Sequence, residues 1–195
     1  MASTYTDLGI ELMATGENAG TWGTKTNANL NLIEQLTGGH LSISIAGGAQ
    51  TTNLDIDDGA LTGTAQQRVL ELTGTITGNQ IVTVPLLTEN FYFIKNGTSG
   101  AHTVQIKAVS GSGATVTYTA TDKGWKIIYV DGVATNTGVY QLNDNLSGLV
   151  VGTDVQAYDA GLAAIAGLAV TDGNIIVGNG STFVAENGAT ARTSL

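Results

Sequence analysis

Cysteine is absent from the 195-residue chain, which removes disulfide frameworks, thiolate nucleophiles and cysteine-ligated zinc or iron–sulfur centres together. Charge is also scarce: Asp, Glu, Lys and Arg make up 12% of the residues, about half the ~25% of an ordinary soluble domain. Bases are scarcer still, with 7 Lys and Arg against 16 acids and a net charge of −9. So few cations cannot neutralise a phosphate backbone, and no nucleic-acid partner is expected. Two histidines, His40 and His102, leave almost no material for a catalytic triad or a His-rich metal centre, so no catalytic, cofactor or metal residue is assigned and the chain reads as non-enzymatic. The longest apolar stretch, Leu162 to Val170, falls well short of the ~20 residues a membrane helix needs. The opening MASTYTDLG lacks a basic region followed by an apolar one, so neither membrane insertion nor secretion is expected.

What is present is small and uncharged: 27 Gly, 29 Thr and 14 Asn. With 42% apolar residues and one Pro, this composition fits a folded, mainly β chain and not a disordered one. Charge is uneven along it. Residues 1–40 carry −3, residues 41–126 carry −1 and residues 127–195 carry −5, which suggests segments with different tasks.

Three segments follow from the patterning: 1–40, 41–141 and 142–195. In the first, Tyr5, Leu8, Ile10 and Leu12 alternate with polar neighbours, as in an extended arm. From Thr21 onward, Trp22, Leu30, Ile33 and Leu36 recur near helical spacing before Gly38-Gly39, which predicts a short amphipathic helix with Thr21 at its N-cap. Forty residues with one short helix bury little alone, so this segment needs a surface from its own middle segment, a sister chain or another protein. Trp22 is either an anchor for a partner's pocket or a side chain folded back on the middle segment.

The middle segment is a succession of strand signals: LSISI, TTNLDI, RVLELTGTI, QIVTVP, FYFIKN, HTVQIKAV, ATVTYTA and GWKIIYV. Turn residues such as Gly47-Gly48, Gly78-Asn79, Asn96-Gly97 and Asp131-Gly132 separate them. Regular spacing without helical pattern predicts a central antiparallel β-sandwich-like module. Val82, Val84, Phe91, Phe93, Val104, Ile106, Val116, Tyr118, Ile127 and Tyr129 are its expected inward positions, and Trp125 is expected in the core or covering a strand end. Asp55, Asp57 and Asp58 precede Gly59, but the glycine arrives one residue early for a calcium loop and the twelfth position is Gln66, so they read as turn carboxylates. The glycine-rich turns match neither phosphate-binding fingerprint.

In the third segment Val155, Tyr158, Leu162, Ile165 and Leu168 are spaced by three and four, with Asp159 placed to cap LAAIAGL. IIV and TFV flank Asn179-Gly180 as two brief strands. An extended segment with short helical turns and small strands offers a poor monomeric core. Association of three copies would bury the stripe, so these five residues are the expected trimer contact.

The opening STYTDLGIELMATGENAGTWGTKTNANLNLIEQL resembles the N-terminal segment of tail-fibre and other virion structural proteins of tailed bacteriophages, particularly marine and cyanobacterial ones. Gly20, Trp22, Gly23, Asn27, Asn29 and Glu34 occupy the positions of G-x-W-G-x-x-x-N-x-N-x-x-x-I/L-E. GWKIIYVDGVATNTGVYQL is similar to a phage-fibre pattern in which a strand ends in a DG turn, Asp131-Gly132, and leads to a VY pair, Val139-Tyr140. GTDVQAYDAGLAAIAGL and ENGATARTSL resemble fibre shaft and linker units, although the LGLG continuation usual after the latter is missing here.

The resemblance implies a homotrimeric virion component, in a phage tail, anchored by residues 1–40 and projecting or connecting the distal host-attachment part. Tyr5, Leu8, Trp22, Leu30 and Ile33 are the expected virion-docking surface, and a distal fibre protein is an expected partner at the C-terminal segment. A head-decoration (capsid fibre) protein is the second reading. A carbohydrate-binding or depolymerase-type tailspike fragment is the third; it predicts a long parallel β-helix with an acidic cleft, and no such repeat is legible.

Overall fold

Short β-branched segments between Gly- and Asn-bearing turns favour strands, and the chain is mainly β. The computed structural model describes residues 2–142, 159–168 and 174–194. Met1–Asp144 form one compact unit and Asn145–Leu195 a second, so segments 1–40 and 41–141 lie within a single unit.

The N-terminal stretch is a hairpin and not the expected extended arm. Strands β1 (Thr4–Tyr5) and β2 (Glu11–Leu12) pair antiparallel, and the Thr6 N–H donates to the Ile10 carbonyl at 2.9 Å. Helix α1 (Trp22–Gly38) follows, but the Thr21 side chain makes no capping bond; the N–H groups of Thr21 and Trp22 both reach the Asn18 carbonyl at 2.8 Å. Leu32 and Leu36, one turn apart, are buried, whereas Trp22, Leu30 and Ile33 are exposed. The helix therefore carries two apolar rows, and of the buried pair the spacing singles out Leu36 but not Leu32.

This segment finds its missing surface on its own chain. The buried Gln66 amide donates to the Leu8 carbonyl at 3.0 Å, and the Gly59 N–H donates to the Gly9 carbonyl at 2.8 Å. Asn29 clamps β2 to α1, accepting from the Glu11 N–H at 3.0 Å and donating to the Glu11 carbonyl at 2.9 Å. Lys25 pairs with the buried Glu11 at 3.0 Å, which holds that carboxyl below its usual range.

Nine strands follow: β3 (His40–Ser44), β4 (Gln50–Asn53), β5 (Val69–Thr73), β6 (Gln80–Val84), β7 (Glu89–Asn96), β8 (Val104–Ala108), β9 (Val116–Tyr118), β10 (Gly124–Asp131) and β11 (Val139–Gln141). They form two sheets ordered β11-β10-β7-β5-β3 and β4-β6-β8-β9. From β3 to β8 the chain alternates between sheets, so each strand lies parallel to the one two places earlier: His40 faces Val69 and Val69 faces Phe93 in one sheet, Gln50 faces Gln80 and Gln80 faces Val104 in the other. The connecting turns stack as well, through parallel bridges Gly47–Ile76 and Thr75–Ser99. Three coils result. Then β9, β10 and β11 reverse and pair antiparallel on β8, β7 and β10.

The expected all-antiparallel module is thus corrected: four of the seven pairings in these sheets are parallel. Turns at Gly47-Gly48 and Gly78-Asn79 send the chain across to the opposite sheet instead of back beside its predecessor. The Gln80 amide ties them together, donating to the carbonyls of Gly48 at 2.7 Å and Gly78 at 2.9 Å.

Inner side chains of both sheets build one buried cluster that includes Leu70, Val82, Ile94, Ile106, Tyr118 and Ile128. Val82, Val84, Val104, Ile106, Val116 and Tyr118 point inward as expected. In β7 and β10 the parity is the opposite of that expected: Tyr92, Ile94, Ile128 and Val130 are buried, while Phe91, Phe93 and Trp125 are exposed and Ile127 and Tyr129 half-buried. Two buried hydroxyls meet carbonyls, Tyr92 to Ala65 at 3.0 Å and Tyr118 to Ile94 at 2.7 Å.

The second unit holds α2 (Ala160–Ala166), β12 (Ile175–Gly178), β13 (Phe183–Glu186) and α3 (Gly188–Ser194). Asp159 caps α2 as expected, accepting from the Leu162 N–H at 3.0 Å, and β12 and β13 form the expected hairpin. Helix α3 has no counterpart in the sequence reading. Ala191 is the one buried apolar residue among those described in this unit.

Candidate interaction surfaces

In β7 and β10 apolar residues occupy both parities, so burying one face leaves the other greasy. Outward residues meet across strands in register: Val69, Phe93 and Ile127 form one row, Phe91, Tyr129 and Tyr140 a second, and Glu71, Lys95 and Trp125 a third. Phe91 (42%), Phe93 (37%), Trp125 (53%) and Tyr140 (44%) are exposed, and with Tyr129 they are five of the eleven aromatic residues in the chain.

Charged groups frame these rings. The Arg68 guanidinium lies 3.9 Å from the Phe91 ring centroid and donates to the Asn90 side chain and the Phe91 carbonyl. Lys95 pairs with Glu71 at 2.8 Å, keeping that carboxyl below its usual range. The Tyr129 hydroxyl donates to Glu89 at 2.8 Å, and this bond raises its pKa. At the strand end, Asp131 accepts from the N–H groups of Val133 (3.0 Å) and Gly138 (2.8 Å), bonds that lower its pKa and fold the DG turn so that β11 returns beside β10.

Sequence reasoning missed this face for a specific reason. In GWKIIYV the charged Lys126 marks its own parity as outward, yet it is buried, with Asp122 and Gln141 each 2.8 Å from its ammonium and the Tyr118 ring 4.9 Å away. The signal that could have found the face is the unbroken run Phe91-Tyr92-Phe93-Ile94, which leaves rings on both sides whichever parity is buried.

The expected docking residues divide between two places. Trp22, Leu30 and Ile33 share one face of α1, with Trp22 64% exposed, so that ring does not fold back on the middle segment. Tyr5 instead lines a cleft of about 750 Å³ with Asp7, Asp55, Ile56, Asp58 and Leu87, and the half-buried Leu8 is engaged through its carbonyl. Asp55 accepts from both the N–H and the hydroxyl of Thr64, and these bonds lower its pKa. Of the expected trimer-contact residues, Leu162 is exposed and Ile165 and Leu168 half-buried; Val155 and Tyr158 lie outside the described residues.

Among the described residues no three His, Asp or Glu side chains are grouped to hold a metal ion, and no helix is long and apolar enough to cross a membrane. Parallel pairing among the described residues extends over three coils, short of the long parallel β-helix that the tailspike reading predicts. Comparison with family models, curated proteins and solved structures found no match to this chain.

Proposed function

We propose that this chain is a non-enzymatic structural protein of a phage particle, a tail-fibre or tail-attachment subunit that docks through α1 and assembles with copies of itself. The observation that carries the reading is the row Trp22, Leu30 and Ile33, exposed by 64%, 58% and 45% on one face of a helix that Leu32 and Leu36 hold by the adjoining face. Aromatic and aliphatic anchors on a rigid element dock with little loss of conformational freedom, which is how a few residues come to dominate an interface. Leu162, Ile175, Ile176 and Phe183 are exposed on elements of the second unit that bury little of their own. Three copies meeting there would supply the missing burial, which supports a homotrimer, with a distal fibre protein joined at this end.

The test replaces Trp22, Leu30 and Ile33 together by serine in the full-length chain and counts the protein in purified particles by quantitative mass spectrometry. Particles depleted of the variant, with its melting temperature unchanged, are the expected result; normal occupancy would overturn docking through α1. Imaging particles that carry a labelled chain checks the site: label on the head shell would replace the tail reading with the head-decoration one.

A further inference from the structure

We infer that the outer face of the five-stranded sheet pairs two-fold with the same face of a second copy, β7 of one chain lying antiparallel across β7 of the other. The outward residues of β7 read Glu89, Phe91, Phe93, Lys95: acid, ring, ring, base. A two-fold axis between Phe91 and Phe93 sets each Phe91 on the other chain's Phe93 and each Glu89 on the other chain's Lys95. It also carries Tyr129 onto Ile127, because these residues face Phe91 and Phe93 on β10. An isologous contact requires this kind of self-complementarity, in which residue i meets j and j meets i. Lys95 and Glu89 keep capacity for the contact: an ammonium has three donors and a carboxylate two oxygens, and each makes one hydrogen bond, Lys95 to Glu71 and Glu89 from Tyr129, with the Trp125 ring 5.7 Å from the Lys95 ammonium.

The charge pattern selects a second copy as the occupant. The chain carries −9 overall, so copies repel, but on this face Arg68 and Lys95 offset two of the three acids Glu71, Glu89 and Asp131. A partner of uniform charge would meet both signs; an identical face reversed meets opposite signs. At about 4.8 Å between strands and 3.3 Å per residue, the 24 residues of β5, β7, β10 and β11 span roughly 380 Å² per copy. The pair then buries roughly 760 Å², the size of a weak association whose two-fold pairing shows only at high protein concentration. Rings at the centre with charges around them are the anatomy of such interfaces. The inference concerns the first unit and stands apart from the trimer reading.

Cysteine-scanning of the full-length chain tests it, since the chain has no cysteine of its own. Variants Glu89→Cys and Lys95→Cys are treated with a short bis-maleimide reaching about 10 Å, the spacing of packed sheets. A 1:1 mixture should cross-link between the two variants and each variant alone should not, because like positions lie roughly 20 Å apart along the strand. By sedimentation, Lys95→Glu should weaken pairing about tenfold, and the double exchange Glu89→Lys with Lys95→Glu should restore it. A merely internal role for Lys95 beside Glu71 predicts no restoration. Phe93→Ser, checked for a native circular-dichroism spectrum and a melting temperature lowered by no more than a few degrees, should weaken pairing about thirty-fold or more. No mixed cross-link, or a mass indifferent to all three variants, overturns the pairing. A trimer mass that persists in that case leaves the trimer reading standing.

Discussion

Alanine at Ile94 should destabilise the protein far more than alanine at its larger neighbour Phe93. Ile94 is fully buried in the shared core, and removing three buried carbons from a packed interior costs about 3–4 kcal/mol through lost transfer energy and the cavity left behind. Phe93 is 37% exposed and lies between Val69 and Ile127 on the outer face, where two cross-strand contacts contribute about 1 kcal/mol together. With a urea slope near 2 kcal/mol per molar, the Ile94→Ala midpoint should fall by about 1.5–2 M and the Phe93→Ala midpoint by about 0.5 M. The denaturation is followed by circular dichroism at concentrations where the midpoint no longer depends on protein concentration, which removes any contribution from association. Equal or reversed losses would refute the parity of β7, and with it the outer aromatic face.

Alkaline pH is a second lever. Burial pushes the Tyr92 hydroxyl up to about 12, while the unfolded chain ionises near the ordinary ~10, so the folded state binds more protons between these values. Stability should be flat between about pH 6 and pH 10 and decline by about 3 kcal/mol toward pH 12, with Tyr118, raised by burial as well, adding in the same direction; tyrosinate absorbance that precedes unfolding would contradict this. Gly9 has φ +78, and a Cβ there would lie 2.4 Å from the Gln66 amide and 3.0 Å from the Asp57 carbonyl. Gly9→Ala should therefore lift the hairpin from the coils, seen as faster hydrogen exchange at β1 and β2, at a cost of about 1–3 kcal/mol; an exchange pattern like that of the parent chain would show that the contact is slack.

The positions of the strands were legible because their causes are local. Alternating β-branched residues, Gly and Asn at the turns, and an Asp one place before a helix act over a few residues, and the eight strand segments and the Asp159 cap lie where those signals put them. The repeat of the coils was hidden because their offsets differ: 29 or 30 residues separate the first and second, 24 the second and third. The long return 54–68 between β4 and β5, set against the short 85–88 between β6 and β7, leaves no fixed period to detect. The Asn29 clamp and the Gln66 bond to Leu8 join residues far apart in the chain, and no spacing rule announces them.

Composition and patterning by themselves determined a mainly β chain, poor in charge, with strands at defined places. Only the tertiary structure decided their direction of pairing and which face of β7 and β10 is inside. A two-residue period defines two faces without choosing between them, and where both are apolar the choice falls to distant partners: the opposite sheet for the rings, Asp122 and Gln141 for the buried Lys126.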